Sequence, residues 1–422
     1  MTLRSVFILL VVLCFGTCSS SGADWTQFRG PGGLGTSDEQ ALPTKWSATE
    51  NIVWKGDLPG PGASCPVVAG DRVFLTCYTG YGLEPNKGEQ KDLKRHLLCI
   101  DRKLGKTLWT KEFEPKLPEH GYQGEGAYHG YSASTPLVDG DRLYVFFGKS
   151  GVFCFDLEGQ EQWQASVGDG TNGWGSGTSP VLHGKLLIIN ASIESGSLVA
   201  LDKQTGKEVW RAKGINSSWN TPLLVNAKQR PEVIVSTESR LLSFNPDDGM
   251  PLWNADGVHR YVCPSVVAHD DVVYAIGGGH TSLAVKLGGS GDVTATNTVW
   301  KKPLGSNVCS PVYSAGHLYW ASDSGGFICC QNAVNGETVY QQRLEPRPGT
   351  IWSSAVLGDG KLYFVSQHNG TFVVAAKPQF ELLAHNVIAD DDSRTNASPA
   401  ISNGQLFLRT DRRLYCIGSK SP

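Results

Sequence analysis

The stretch SLVALDKQTGKEVW, residues 197–210, decides the fold, because the chain keeps returning to it. An apolar strand runs into Asp-x-x-x-Gly and then into a short strand ending on Trp. An Asp at the start of such a turn caps backbone donors, and a Gly at its end takes the left-handed conformation. Read outward, the same unit begins with Ser/Thr-Pro, a few apolar residues, a polar turn and another strand. STPLVDGDRLYVFFGKSGVFCFDLEGQEQW (134–163) and TSPVLHGKLLIINASIESGSLVALDKQTGKEVW (178–210) are its clearest copies.

Pro66, Pro136, Pro180, Pro222, Pro264, Pro311 and Pro399 open seven units, and Ala355 stands in that place in an eighth. After the first, long unit the spacings are 44, 42, 42, 47, 44 and 44 residues. Four short strands per period of about 40 to 50 residues is the signature of a propeller blade. The expectation is an all-β, eight-bladed β-propeller of four-stranded antiparallel blades, forming one domain over 24–422. The last copy, SPAISNGQLFLRTDRRLYCIGSKSP, stops after three strands, whereas NIVWKGDL (51–58) is an orphan resembling the end of a unit. Pairing the two closes the ring and removes both open sheet edges. Trp54, Trp109, Trp163, Trp210, Trp253 and Trp300 then recur once per blade, with Tyr340 as a substitute, and are assigned to the seams between blades.

Residues 1–23 carry one Arg, an apolar run too short for the roughly 20 residues that span a bilayer, and small residues before Asp24. They read as a secretory signal peptide, with a lipoprotein anchor at Cys18 as the alternative. The protein is expected to be exported, monomeric and without a membrane span. Its net charge of −3 is dispersed, and no basic tract points to nucleic acid.

The pattern AxDxxTGKxxW, carried by Ala200, Asp202, Thr205, Gly206, Lys207 and Trp210, resembles the tryptophan-docking motif of quinoprotein propellers. That superfamily includes PQQ-dependent alcohol dehydrogenases and the assembly lipoprotein BamB. The whole mature chain resembles secreted bacterial PQQ-like repeat proteins through DWTQFRGPGG (24–33), NGWGSGTSP (172–180) and VCPSVVAHDDVVYAIGG (262–278). The resemblance implies the fold. For activity it implies two classes, since catalytic and non-catalytic members share the motif.

A PQQ dehydrogenase would need a floor Trp, a Ca²⁺ held by carboxylates and amides, an Arg near the quinone and an Asp base. Trp174 and Trp219 are floor candidates and Arg260 a candidate for the Arg, but no acidic group accompanies them before the unit prolines. The adjacent Cys329 and Cys330 match the vicinal disulfide of those enzymes. Aligned on the turns, however, Cys99, Cys154, Cys330 and Cys416 fall where other units have Ala200, Ser243 and Ala284. That is a slot for small packing residues. No metal-ligand spacing is present, and the acidic run 389–393 reads as a solvated loop. No cofactor is therefore expected, with PQQ and Ca²⁺ as the alternative.

Strand direction places the second-to-third-strand loops on the same face as the blade-to-blade loops. The two longest insertions, 79–96 and 114–131, belong to those two classes, so they are expected side by side on that face. Tyr131, Trp174, Trp219, Tyr261 and Trp352 precede the unit prolines and are expected at the channel mouth, in the company of Asn172, Asn220, Asn307, Asn396, Arg260, Glu125 and His129. They either bind a protein or small polar ligand there, or fill the channel and pack the blades. The reading is a non-catalytic binding or scaffold protein, with a PQQ-dependent dehydrogenase, or another enzyme using Glu125, His129 or Asp169, as the alternative.

Overall fold

Each unit of the sequence forms one blade because its strands alternate direction and bury both faces against neighbours. The computed structural model describes residues 24–419 apart from 85–86, 124–128, 228–229, 261, 279 and 324. Residues 1–23, expected to be a signal peptide, Glu125 and Tyr261 lie outside the described residues. Eight four-stranded antiparallel blades close a ring, a β-propeller with little helix. The blades span 67–113, 137–165, 181–213, 223–256, 267–302, 312–343 and 356–386, and the eighth joins 400–417 to the strand Ile52–Asp57. In that closure Trp54 stands opposite Cys416 and Asp57 opposite Arg413. Two short strands add in parallel, Gly291–Asp292 on the outer strand of blade 4 and Thr36–Ser37 on the inner strand of blade 7.

The opening stretch is scaffold. Trp54, Trp109, Trp163, Trp210 and Trp300 each lay the indole on the turn of the following blade. The indole N–H groups donate to the carbonyls of Arg102, Leu157, Lys203, Pro246 and Ala333 at 2.7–3.1 Å. The turn glycine is what admits the ring: a Cβ on Gly206, whose φ is 71°, would stand 2.5 Å from Trp163. On the strand beside it the small residue makes room, with Cys99, Cys154, Ala200, Ser243, Ala284, Cys330 and Cys416 directly opposite the docking aromatics. Blade 7 exchanges the sizes, placing Val373 opposite Ala384. A β-bulge lies beside the docking position in every blade and, in the seven that carry an aromatic there, turns it toward its neighbour. Trp253 departs from this pattern. Its indole N–H meets the buried Glu232 carboxylate at 2.7 Å, because blade 5 has no Asp-x-x-x-Gly turn to receive it.

The Ser/Thr before each unit proline has a role of its own. The backbone N–H of Cys65 donates to Thr135 Oγ1, and the pattern repeats from Thr135 to Ser179, Thr221, Ser265, Ser310, Ser354 and Ser398, with seven bonds of 2.8–3.1 Å. Ser398 in turn meets the Cys65 thiol, so a belt of side-chain to backbone hydrogen bonds runs once around the channel. It also corrects the register of blade 5. Ser265 holds the belt position, so Val266, not Pro264, is the counterpart of Pro222 and Pro311, and the uneven spacings of 42 and 47 become 44 and 45. Each link is a buried bond, so Ser310→Ala should lower stability by about 1–3 kcal/mol in denaturant titration. Cys65→Ser should leave stability at least at the wild-type value.

Residues 24–46 form a plug on the face opposite the insertions. Trp25 bridges to Val68 of blade 1, and the Val138 N–H of blade 2 reaches the Thr26 carbonyl. The Arg29 guanidinium, fully buried, donates to the carbonyls of Gly33, Leu34 and Pro311. The chain then passes blade 7, where Asp359 accepts the Leu42 N–H, and Glu39 caps the turn at Asn403 and Gly404 in blade 8. One segment therefore ties most of the ring together across its axis.

Candidate functional site

On the opposite face the channel opens into a cavity of about 400 Å³. Trp174, Trp219 and Trp352 line it, and Phe28 of the plug lines both this cavity and the smaller one beyond it, so the channel is a dead end. Trp219 is held in place by its indole N–H on the Gly175 carbonyl at 2.9 Å and its backbone N–H on Val262. Trp174 sits in a turn in which its N–H meets Asn172 Oδ1 at 3.0 Å. Ser310, Ser354 and Ser398 of the belt, with Asn396, supply hydroxyls and an amide to the wall. Glu238, in a hairpin turn of blade 4, and Arg260, in the connection from blade 4 to blade 5, bring one exposed charge of each sign to the rim.

His129 also lines the cavity. Burial lowers its pKa to about 4, opposed in part by backbone hydrogen bonds to Gly130 and Trp174, so the imidazole is neutral at physiological pH. Its Nδ1 is buried and has no hydrogen-bond partner.

Of the residues expected at the mouth, the structure brings together Trp174, Trp219, Trp352, His129, Arg260 and Asn396. Tyr131 is elsewhere. The two insertions do lie side by side, with the Gln90 amide donating to the carbonyls of Glu119 and His120. Tyr131 is buried beneath them, edge-on to Tyr78 at 5.4 Å, with its hydroxyl on the His120 carbonyl. The long insertions give this ring partners that shorter blade-to-blade loops lack, and His129 and Ala133 face the channel in its sector. Asn220 and Asn307 are structural: Asn220 donates to Ser236 and Ser218, and Asn307 binds Asp323. Phe28 and Glu238 carry no signal in the sequence, since one belongs to the plug and the other to a hairpin tip with no motif around it.

Beside the cavity, under the insertions, lies a buried polar cluster. Arg95 pairs with Glu119 at 2.7 Å, with both side chains almost fully buried. Burial pushes His120 down to about 3 and Glu194 up to about 7, the Ser176 hydroxyl opposing part of the latter shift. The folded state thus keeps a proton on Glu194 that the unfolded chain releases near 4.5. Its contribution to stability falls as pH rises from about 4.5 to 7 and is flat above. Glu194→Gln should remove that slope and raise stability at pH 8 by on the order of 3 kcal/mol relative to wild type, read by denaturant titration at several pH values.

The acidic run 389–393 is committed within the protein. Asp390 pairs with Lys55 and Arg413, Asp392 pairs with Arg412, and Asp391 accepts from Ser393, Thr410 and Tyr415. Among the described residues no three His, Cys, Asp or Glu side chains converge to hold a metal ion. Cys329 and Cys330 sit side by side in the strand Phe327–Asn332, where successive side chains point to opposite faces. Cys329 packs with Trp300 and Trp320 and Cys330 with Tyr319, each in a different seam and neither at the cavity. Among the described residues Glu238 is the one carboxylate on the cavity wall, and the adjacent cysteines are not part of it.

A family model described as outer membrane protein assembly factor BamB matches residues 34–175 and 159–379. The chain belongs to that family. A curated relative, outer membrane protein assembly factor BamB of Burkholderia pseudomallei (strain K96243), is 23% identical over 420 residues, covering 94% of this chain and 93% of the relative. The crystal structure of BamB from Moraxella catarrhalis superposes with a TM-score of 0.61 at 13% identity, over 88% of this chain and 98% of that one. The quinohemoprotein alcohol dehydrogenase of Comamonas testosteroni gives 0.66 at 11%, over 94% and 81%. At such identities these structural likenesses carry the fold alone. Among the described residues no helix is long and apolar enough to cross a membrane.

Proposed function

We propose that this chain is an exported, non-catalytic binding propeller of the assembly-factor kind, which holds a partner protein at the mouth of its channel. The observation that carries this reading is the dead-end cavity walled by Trp174, Trp219 and Trp352 and closed by Phe28, on the face that also bears both insertions. Large aromatic side chains in a concave site are what anchor residues of a partner bury against, and such positions dominate binding energy. The family's name, an assembly factor, supports a protein as the partner.

Catalysis at this site would need a base and an electrophile beside the bound group. His129, held by burial at a pKa of about 4, is a weak base, and among the described residues no three His, Cys, Asp or Glu side chains converge beside the two rim charges. PQQ and Ca²⁺ added to purified protein should therefore give neither saturable binding nor dye-linked oxidation of alcohols. Stoichiometric PQQ binding lost in Trp219→Ala would favour the dehydrogenase reading instead.

A further inference from the structure

Glu194 is a carboxyl group that the fold buries without a counter-ion. It sits in the four-residue helix Ser192–Ser195, 4% exposed, and accepts the Ser176 hydroxyl on Oε1, while Oε2 is buried with no hydrogen-bond partner. Among the described residues no cation pairs with it, and the charged side chain whose field reaches it is the carboxylate of Glu119. The cations on the elements around it are committed elsewhere: Arg95 to Glu119, Lys149 to the Pro118 carbonyl, and Arg211 to Glu208, Ser195 and the Val167 carbonyl. His120 is neutral because burial holds it near 3, and Asp169 and Lys213 are exposed. An ionised carboxylate taken out of water without a partner is costly, so the buried group favours its protonated form.

The same group lies under one wall of the aromatic chamber. Segment 166–177 packs on its helix: the Gly170 N–H donates to the Glu194 carbonyl at 3.0 Å, and a Cβ on Gly168 or Gly170 would collide with the carbonyls of Ile193 and Glu194. Ser176, which holds the carboxyl, is two residues from Trp174 and next to Gly177, and both of these line the chamber. We propose that Glu194 is a proton-operated latch on this wall: protonated, it holds segment 166–177 and Trp174 down, and ionised, it sets a second negative charge beside Glu119 and loosens them as water enters. The proton passes to solvent. The latch belongs to the chain by itself, and only its consequence, a partner held more tightly at pH 5.5 than at pH 7.5, rests on the binding reading above. With the segment closed, the carboxyl titrates at about 7; with it open, Glu194 returns to its ordinary 4.5. Closure is therefore strongest below 4.5, weakens by up to about tenfold per pH unit between these values, and is level above 7.

Hydrogen–deuterium exchange of protein spanning 24–422, followed by mass spectrometry from pH 5 to 8 with no ligand present, reads the latch directly. Rates are corrected for the intrinsic pH dependence of exchange and compared with segment 303–310, which lines the same chamber through Val308 and Ser310. We expect protection of 166–177 to fall at least roughly 10-fold between pH 5 and 7 and to level above, while 303–310 changes little. Glu194→Gln should hold 166–177 near its acid value at every pH. Ser176→Ala removes the hydroxyl that favours the carboxylate and should carry the level point above pH 7. Protection of 166–177 that does not depend on pH overturns the latch, as does a fall shared equally by 303–310 or kept in Glu194→Gln. Should Glu194→Gln not fold, a level point unmoved in Ser176→Ala overturns it. Failure of the binding reading leaves these results unchanged, since no ligand enters them.

Discussion

A chain beginning at residue 59 will not form a closed, cooperatively folding ring. Removing residues 24–58 deletes the strand Ile52–Asp57, whose partner Arg413–Ile417 becomes an open edge in blade 8. It also removes Trp54 from the Arg102 carbonyl and from the face of Gly105, opening the seam to blade 1. The plug goes with it, including Trp25, Arg29 and Trp46, all buried. An unpaired edge is a template for intermolecular pairing, so the truncated protein should elute from size exclusion as aggregate and show no cooperative melt. A monomer melting like the full mature chain would show that closure does not run through this strand.

Trp210→Ala should lower stability by about 3–5 kcal/mol, the usual cost of cutting a buried Trp or Phe to Ala. The indole is 8% exposed, donates to Pro246 at 3.0 Å, lies over Gly249 and stands opposite Ala200 in a cluster joining blades 3 and 4. Its substitution leaves a hole that neither blade can fill. Binding at the channel mouth should survive under conditions where the variant is folded. Trp219→Ala should behave in the opposite sense, with a small loss of stability and a large loss of binding. Denaturant titration of both variants separates the roles, and a Trp210→Ala protein as stable as wild type would remove the docking aromatics from the account of the seams.

What the sequence made legible was whatever recurs. Eight units, a missing fourth strand and a large aromatic opposite a small residue give the ring, its closure and its seams, because blade packing imposes the same local chemistry each time. The belt was visible only as Ser/Thr before Pro, since its bonds join residues about 44 apart, and the equivalence of Ser265 is hidden by a proline two residues from its expected place. The plug was hidden because it occurs once: DWTQFRGPGG has no second copy to align, although Trp, Phe and Arg in a segment outside any blade mark something buried. At the mouth, the position before each proline placed Trp174, Trp219 and Trp352 correctly. It misplaced Tyr131, because an insertion supplies its own aromatic neighbours. In the sequence His129 is one polar group among several, and the burial that distinguishes it depends on the surrounding loops.

The claim that the loop-bearing face and its cavity hold the partner is tested most directly by site-specific photocrosslinking in cells of the source organism. A benzophenone amino acid replaces Trp352 on the cavity wall in one strain and Lys185, exposed in a turn on the opposite face, in another. The account predicts a discrete protein adduct from position 352 that Trp219→Ala diminishes, and none from 185. An adduct from 185 with none from 352 would contradict it.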